Sequence, residues 1–256
     1  SRNKLLELGG EQQMISLGER NEGYLAKVGE PLIQFYGYKT CGVWNSAEEI
    51  AANPHFSDDA PGGIRIVDTN NDGSLTPEDR VALGTPYPDF TWGITNTFQI
   101  KDFDISFLIQ GVQGITVLNG DVYYNETKKW NKKYTKNRWV SAEHPGDGKT
   151  PYQNVKTGHD LMLTDYPLQN ASYACLRNFT VGYTLPATAA RKIKLSGVRF
   201  YVSGSNLLYI WGSGYKGINP ESRMTSGNYS SAMISGYQRG GFPLTSTISA
   251  GFDINF

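Results

Sequence analysis

The sequence has no excess charge, no long apolar run and very few cysteines. Its 24 Lys and Arg side chains are balanced by 24 Asp and Glu. This balance argues against the extended basic surface typical of nucleic-acid binding, and we expect no nucleic-acid partner. No run of about 18 apolar residues occurs, which excludes a membrane-spanning helix. The first residues lack the charged and apolar segments of a secretory signal, so we expect the chain to start within a longer protein or to have lost a targeting segment.

Catalytic and redox motifs are also missing. Cys41 and Cys175 lie far apart in sequence and are predicted to be two unrelated thiols. His55, His144 and His159 do not have the spacing of metal ligands, and neither an H-E-x-x-H nor a G-x-S-x-G motif occurs. We therefore predict that the protein is not an enzyme.

The sequence does contain repeated alternation of apolar and polar residues. In 247–256, one face of a strand would carry Ile248, Ala250, Phe252, Ile254 and Phe256. Such alternation predicts a strand with one apolar and one solvated face. The pattern recurs at 91–100, 103–110, 178–185 and 198–203, and these runs are close to the roughly 9–11 residues with which a tilted strand crosses a bilayer.

The connections between these runs differ greatly in length. Lys101-Asp102 allows only a tight turn and 186–197 is a modest link, whereas 112–173 and 208–244 are long and polar. If strand 247–256 runs toward the periplasm, every long loop lies outside and every short link lies inside, which is typical of outer-membrane barrels. The alternative that remains open is a secreted, calcium-stabilised β-sandwich that binds carbohydrate.

We predict one β-barrel domain over 1–256 with three regions. Residues 1–60 form an irregular segment that leads into strands, 61–88 form an extracellular loop, and 89–256 form barrel strands with long extracellular loops. Within the first region, 32–39 is predicted to be a strand and 46–52 a short capped helix.

The loop 68–79 has the sequence DTNNDGSLTPED, which spaces oxygen atoms as in a calcium-binding loop. The predicted ligands are Asp68, Asn70, Asp72, the Ser74 backbone carbonyl and Asp79. Asp79 replaces the usual glutamate at the last position, so we expect weak binding of a structural Ca²⁺. The alternative is a polar turn without metal.

Aromatic side chains are concentrated in the long loops, where they suit sugar stacking or peptide capture. A membrane-interface or lid contact is the competing interpretation. The residues concerned are Tyr123, Tyr124, Trp130, Trp139, Trp211, Tyr215 and Tyr229.

Several strings, in this order, resemble the C-terminal barrel of SusC-like TonB-dependent transporters. They are Pro31–Ile50, Asp68–Phe98, "LRNFTVGYTLP" at Leu176–Pro186, "VRFYVSGSNLLYI" at Val198–Ile210, "GINPE" at Gly217–Glu221 and the terminal strand ending in Phe256.

The resemblance implies an all-β, antiparallel transmembrane β-barrel segment: the C-terminal strands of a barrel of about 22 strands. It implies TonB-dependent import of an oligosaccharide or oligopeptide across the outer membrane, with a SusD-like lipoprotein as lid. The plug domain and the TonB box are absent from this chain, which has room for about six to eight strands. We therefore expect it to pair with a remaining N-terminal part of the transporter, to reach TonB through that part, and to contact outer-membrane lipid.

Overall fold

The computed structural model describes residues 3–18, 22–122, 137–152, 161–212, 214–222 and 235–256. In chain order the strands are β1 Gln13–Leu17, β2 Gly23–Lys27, β3 Gln34–Gly37, β4 Thr40–Val43, β5 Ile64–Ile66, β6 Val81–Gly84, β7 Phe90–Ile100, β8 Phe103–Gln113, β9 Thr116–Asn119, β10 Leu168–Asn170, β11 Tyr173–Thr184, β12 Gly197–Trp211, β13 Tyr237–Gln238 and β14 Thr247–Asn255. The helices are α1 Ala47–Ala51, α2 Gly120–Val122 and α3 Ala187–Lys192, with 3₁₀ turns at Pro77–Asp79 and Leu161–Leu163. The predicted all-β class is confirmed. No helix among the described residues has the length and apolar character needed to cross a membrane.

The five longest strands form one antiparallel sheet in the order β14-β12-β11-β8-β7. Directly opposed residues of antiparallel strands point to the same face. The register therefore aligns side chains into rows that cross all five strands. One row is Ile100, Phe103, Tyr183, Phe200 and Phe252, and the next is Phe98, Ile105, Val181, Val202 and Ala250.

The other face of this sheet is polar. One of its rows is Thr97, Ser106, Thr180, Ser203 and Ser249. We call the two sides the apolar face and the polar face. The apolar face has no second layer over it in the described residues: Ile94, Phe200 and Phe252 are 52%, 51% and 65% exposed.

The two ends of the five-stranded sheet are different. At one end, which we call the short-turn end, β7 and β8 are joined by the two residues Lys101-Asp102, and β11 and β12 by a link that contains α3. At the other end, the long-loop end, the chain makes the longer connections 114–172 and 212–246. The predicted loop asymmetry is thus observed.

The hydrophobic core lies at the long-loop end. Three clusters occur there: one around Val112, Ile115 and Tyr173; one around Tyr24, Phe35 and Tyr237; and one around Tyr38, Ile64 and Leu161. They are framed by three small sheets, β1-β2-β3-β6, β10-β9-β13 and β4-β5. The described segments at this end therefore pack on one another as one folded unit.

Two local predictions for the first 60 residues are confirmed. β3 lies within the predicted strand 32–39. α1 begins after Ser46, whose hydroxyl accepts a hydrogen bond from the backbone N–H of Glu49 at 3.2 Å, as expected for an N-cap. In the described residues the main sheet has five strands, and the estimate of six to eight barrel strands for the whole chain stays a prediction. The other nine described strands belong to the three small sheets at the long-loop end.

A charge on the apolar face is expected to be far more harmful than the same charge on the polar face. Val181→Arg lies in the central strand of the apolar face and, near a bilayer midplane, should lower the free energy of unfolding by about 2–4 kcal/mol. Thr180→Arg, one residue away on the polar face, is the matched control and should have a much smaller effect. Denaturant unfolding of the protein in lipid vesicles measures both, and equal effects would contradict the assignment of the faces.

Candidate functional site

The polar face carries paired charges near the short-turn end. Arg199 donates from Nε to Asp104 Oδ1 at 3.0 Å and from Nη2 to Asp104 Oδ2 at 2.7 Å, and its Nη1 lies 3.5 Å from Asp253 Oδ2. These bonds join β12 to β8 and β14. A Cβ on Gly182 would overlap both Asp104 and Arg199, so the glycine leaves the space that this ion pair occupies.

A bulge in the middle of the sheet places Arg177 on the polar side. Leu176 and Asn178 of β11 pair with Leu208 and Ser205 of β12, so Arg177 is opposed by two residues of β12. One of these two, Asn206, has a φ of 56°, a left-handed conformation that asparagine tolerates better than most residues. Bulges of this kind re-aim a side chain.

The Arg177 guanidinium joins three parts of the chain. Nη1 donates to Asn206 Oδ1 at 2.7 Å and to the Tyr209 hydroxyl at 2.9 Å, both on β12. Nη2 forms an ion pair with Glu221. With its amide oxygen turned toward Arg177, Gln110 of β8 accepts from Nη2 at 2.6 Å and from Nε at 3.1 Å. All five N–H donors of a guanidinium are thereby used.

Glu221 belongs to a loop that this cluster holds against the sheet. The Tyr209 hydroxyl donates to Glu221 Oε1 at 3.0 Å. The Tyr215 hydroxyl of the loop donates to Gln238 Oε1 of β13 at 2.8 Å. The Gln238 amide in turn donates to the loop carbonyls of Asn219 and Ser222. The segment 214–222 is therefore linked both to the sheet wall through Arg177 and to β13 through Gln238.

In the sequence, the strings around Arg177 and Glu221 indicated only the family resemblance. The ion pair between these two residues was not predicted. An arginine that interrupts an alternating strand was a usable signal, because a lone charge within such a strand needs a partner. The partner itself could not be found from spacing, since Arg177 and Glu221 are 44 residues apart.

The predicted aromatic contacts are only partly available to a ligand. Trp139 and Tyr215 are buried, and Trp139 donates from Nε1 to Asn45 Oδ1 at 3.0 Å. Trp211 is partly exposed and packs edge-on against Tyr215, with ring centroids 6.2 Å apart. Tyr123, Tyr124, Trp130 and Tyr229 lie outside the described residues.

A polar cleft of about 470 Å³ opens at the long-loop end, lined in part by Thr40, Asp147, Lys149 and Asp165. Asp165 Oδ1 accepts from the backbone N–H of Thr40 at 3.0 Å and from its hydroxyl at 2.6 Å. Burial raises the pKa of Asp165 above its ordinary value, despite these hydrogen bonds. Asp147 and Lys149 give the cleft charges of both signs. Such a lining suits a hydroxylated or zwitterionic ligand.

The predicted calcium ligands take up local hydrogen bonds instead of converging on one point. Asp68 accepts from the backbone N–H groups of Asn71 at 2.7 Å and Gly73 at 2.9 Å. Asn70 Nδ2 donates to Asp72 Oδ2 at 3.0 Å. Asp72 Oδ1 accepts from the backbone N–H of Ser74 at 2.8 Å; the predicted ligand atom of Ser74 is its carbonyl oxygen.

Asp79 fastens the two ends of this loop together from a fully buried position. Its Oδ1 accepts from the backbone N–H of Thr69 at 2.8 Å and its Oδ2 from that of Thr76 at 2.9 Å. Burial raises the pKa of Asp79, but hydrogen bonds from the backbone N–H groups of Thr76, Thr69 and Asn70 outweigh it, so the pKa lies below its ordinary value. The carboxylate is therefore ionised in the folded loop.

The donor set is compatible with calcium only after rearrangement. Across the described ranges, no group of three or more His, Cys, Asp or Glu side chains lies close enough to hold a metal ion. Each carboxylate oxygen keeps a second lone pair, but the side chains of Asp68, Asn70 and Asp72 would have to turn toward a common centre. Calcium binding by these residues stays a prediction.

Both cysteines are free, as predicted: Cys41 is exposed and Cys175 is buried. Of the three histidines, His55 and His144 hydrogen-bond to nearby loop atoms, Asn53 O and Ser141 Oγ respectively. His159 lies outside the described residues.

Curated proteins similar to this chain are TonB-dependent receptors. Receptor P26 of Formosa agariphila is 31% identical over 271 residues, covering 100% of this chain and 26% of the relative. Receptor P3 of the same organism is 30% identical and covers 91% of the chain and 23% of the relative. Receptor SusC of Bacteroides thetaiotaomicron is 27% identical over 61% of the chain. The chain therefore spans about a quarter of the length of receptors P26 and P3. No family model matches the chain.

Solved structures with the same fold include the RagAB peptide transporter. One match has a TM-score of 0.72 at 18% identity and covers 99% of this chain and 25% of the solved chain. A second, the RagAB peptide importer in its closed-closed state, has a TM-score of 0.69 at 19% identity. The predicted fold, a segment of an antiparallel β-barrel, is thereby confirmed.

Removal of the Asp79 charge should destabilise the loop at neutral pH but not in acid. Because the folded pKa is lowered, the stabilisation is complete above the ordinary pKa of 3.8 and is lost as the pH falls through the folded value. Asp79→Asn should therefore cost about 1–3 kcal/mol at neutral pH, and its difference from wild type should shrink as the pH falls. Thermal unfolding over this pH range tests it, with exposed Glu78→Gln as control. A difference that does not change with pH would contradict the assignment.

Calcium binding to the loop is expected to be weak, with a dissociation constant of about 10⁻⁴–10⁻³ M. Isothermal titration calorimetry of the protein with CaCl₂ measures it. Asp72→Ala should abolish the binding heat, whereas Glu78→Gln should leave it unchanged. Equal heats for wild type and Asp72→Ala, or no heat from wild type, would favour the turn without metal.

Proposed function

We propose that this chain, which is homologous to a segment of SusC-like TonB-dependent receptors, supplies barrel strands and outer loops to an outer-membrane nutrient importer. The sequence resemblance that suggested this family is confirmed by the curated relatives. The activity, substrate and partners of the whole protein are carried over here as proposals. The relatives are receptors, and none of those described above is named as an enzyme.

The observation that carries the proposal is the contrast between the two faces of the five-stranded sheet. Aromatic and branched aliphatic residues remain exposed in successive rows on the apolar face. Hydroxyl groups and the compensated charges of Asp104 and Arg199 occupy the polar face. Outer-membrane barrels face lipid with the first kind of surface and line an aqueous interior with the second.

The alternative, a secreted β-sandwich, requires a second sheet packed about 10 Å above the apolar face. In the described part of the chain the apolar face has no such cover, and the three small sheets surround cores at the long-loop end instead. This arrangement favours the barrel over the sandwich.

The loop asymmetry supports an orientation with the long-loop end toward the outside of the cell. Barrels of this class have short periplasmic turns and longer extracellular loops. In this orientation the polar cleft near Asp165 and the loop held by Arg177 lie on the outer side, where substrate arrives. A SusD-like lipoprotein would then cover the long-loop end, and TonB would act through the remaining part of the transporter.

The substrate class proposed is an oligopeptide or an oligosaccharide. Amide, hydroxyl and charged groups of both signs line the polar face and the cleft, and such groups bind polar, flexible ligands through many hydrogen bonds. RagAB, a solved structure with the same fold, is a peptide transporter. Oligopeptides are therefore the substrate class to test first.

Uptake of labelled oligopeptides and labelled oligosaccharides by cells with and without the protein tests the proposal. We expect uptake of one class to depend on the protein and on functional TonB. Arg177→Met should reduce this uptake several-fold, because it frees the loop that contains Glu221. Two exposed lysines provide a matched comparison. Lys149→Gln, at the edge of the cleft, should lower uptake if the cleft binds substrate, whereas Lys27→Gln, away from the cleft, should leave uptake unchanged.

Two results would contradict the proposal. The first is unchanged uptake of both substrate classes when the protein is removed. The second is recovery of the protein from the culture medium as a detergent-free monomer, which the sandwich alternative requires.

A further inference from the structure

Four exposed cations occupy the short-turn end. They are Lys101 in the tight turn between β7 and β8, and Arg191, Lys192 and Lys194 at the end of α3 and just after it. Within the described ranges, none of them forms a salt bridge. These four residues are called the basic rim below.

The other charges at this end do not neutralise the basic rim. Asp104 and Asp253 point to the polar face and are engaged by Arg199, which forms the bonds at 2.7, 3.0 and 3.5 Å described above. Asp102, beside Lys101, is the remaining acidic side chain in the two links of this end. Among the side chains of these two links, four positive charges thus stand against the one negative charge of Asp102.

Two of the four cations stand where lysine is unfavourable for the backbone. Lys101 and Lys194 have φ values of 54° and 62°, in the left-handed region that costs an ordinary side chain roughly 1–2 kcal/mol. The other non-glycine residues with positive φ in the described chain are Asn71 and Asn206, the residue type that tolerates it.

The left-handed position of Lys194 belongs to a regular helix end. The N–H of Leu195 bonds to the carbonyl of Ala190 and the N–H of Lys194 to that of Arg191, at 3.1 Å each. This is a Schellman motif, in which glycine usually occupies the position of Lys194. Backbone geometry therefore does not explain either lysine, and the property that the two residues share is their positive charge.

The basic rim lies at the margin of the apolar face. Val198 pairs with Ile254 and shares the face of Phe200 and Phe252, yet it is only 6% exposed, at the foot of β12 where α3 packs. Ile193 is 58% exposed among the cations. An apolar side chain flanked by long cationic ones suits the boundary between hydrocarbon and headgroups, where lysine and arginine reach toward the polar layer.

We propose that the basic rim binds the phosphate headgroups of anionic phospholipids in the leaflet that meets the short-turn end. This inference rests on the proposed barrel function, since it requires the apolar face to lie in a bilayer. The headgroup phosphates supply the charge that Lys101, Arg191, Lys192 and Lys194 lack, and Ile193 inserts beside them. Such binding would anchor the barrel at a defined depth and would explain why lysine occupies two left-handed positions in this chain.

The test is phospholipid binding to the purified, assembled protein in detergent, followed by native mass spectrometry during titration with phosphatidylglycerol or phosphatidylcholine. The rim variant combines Lys101→Asn, Arg191→Gln, Lys192→Gln and Lys194→Asn. Asparagine is favourable at both left-handed positions, so this variant should fold at least as well as wild type. The control variant removes four exposed lysines away from this end: Lys4→Gln, Lys27→Gln, Lys39→Gln and Lys149→Gln.

We expect the rim variant to bind phosphatidylglycerol at least tenfold more weakly, because each cation near an anionic lipid surface contributes roughly a fivefold factor in affinity. The control variant should stay within about twofold of wild type. Phosphatidylcholine should bind more weakly than phosphatidylglycerol, and the variants should bind it alike.

Three outcomes would overturn the lipid assignment. They are equal phosphatidylglycerol binding by the rim variant and wild type, equal losses in the rim and control variants, and full displacement of the lipid by millimolar inorganic phosphate, which would indicate a site for the free anion. Uptake is measured in parallel on wild type and the rim variant. If the rim variant assembles, imports and binds phosphatidylglycerol like wild type, the lipid-binding inference is wrong and the proposed function is unaffected. If the wild-type protein does not enter the membrane, the proposed function itself is wrong.

Discussion

The register of the five long strands is the constraint on which the rest of the structure depends. Because side chains alternate along a strand, a slip of one residue would move every side chain of that strand to the other face. The observed pairing brings Phe103, Val181 and Phe252 to one side and Ser106, Thr180 and Ser249 to the other. A surface suited to lipid and a surface suited to water are therefore products of one pairing pattern.

The bulge at Arg177 is the point at which this regular pattern is interrupted, and it joins the sheet to the long loops. A guanidinium within a strand requires partners for five N–H groups, and here they come from two neighbouring strands and from Glu221. The loop is thus held by a residue of the wall. Further out, three hydrophobic clusters pack the described segments of the long-loop end against one another.

In the loop 68–79, residues with the spacing of calcium ligands form a network of local hydrogen bonds. Oxygen atoms spaced for a calcium ion also accept hydrogen bonds from the loop backbone, and buried Asp79 connects Thr69 to Thr76 without a metal. At the short-turn end, by contrast, two residues occupy backbone positions that do not suit their residue type. Lys101 and Lys194 occupy left-handed positions that glycine or asparagine adopts more easily, and the proposed lipid binding accounts for the charge at these positions.

The sequence alone determined the five long strands, their two faces, the inequality of the loops and the family resemblance, because these depend on periodicities of two residues and on local composition. It also determined the Ser46 cap and the independence of Cys41 from Cys175. It did not determine that Arg177 meets Glu221, that Trp139 and Tyr215 are buried, or that the acidic side chains of the calcium-like loop point to their own backbone. Those features were decided by tertiary structure, since each depends on which distant segments are brought within hydrogen-bonding distance, and no local pattern encodes that distance.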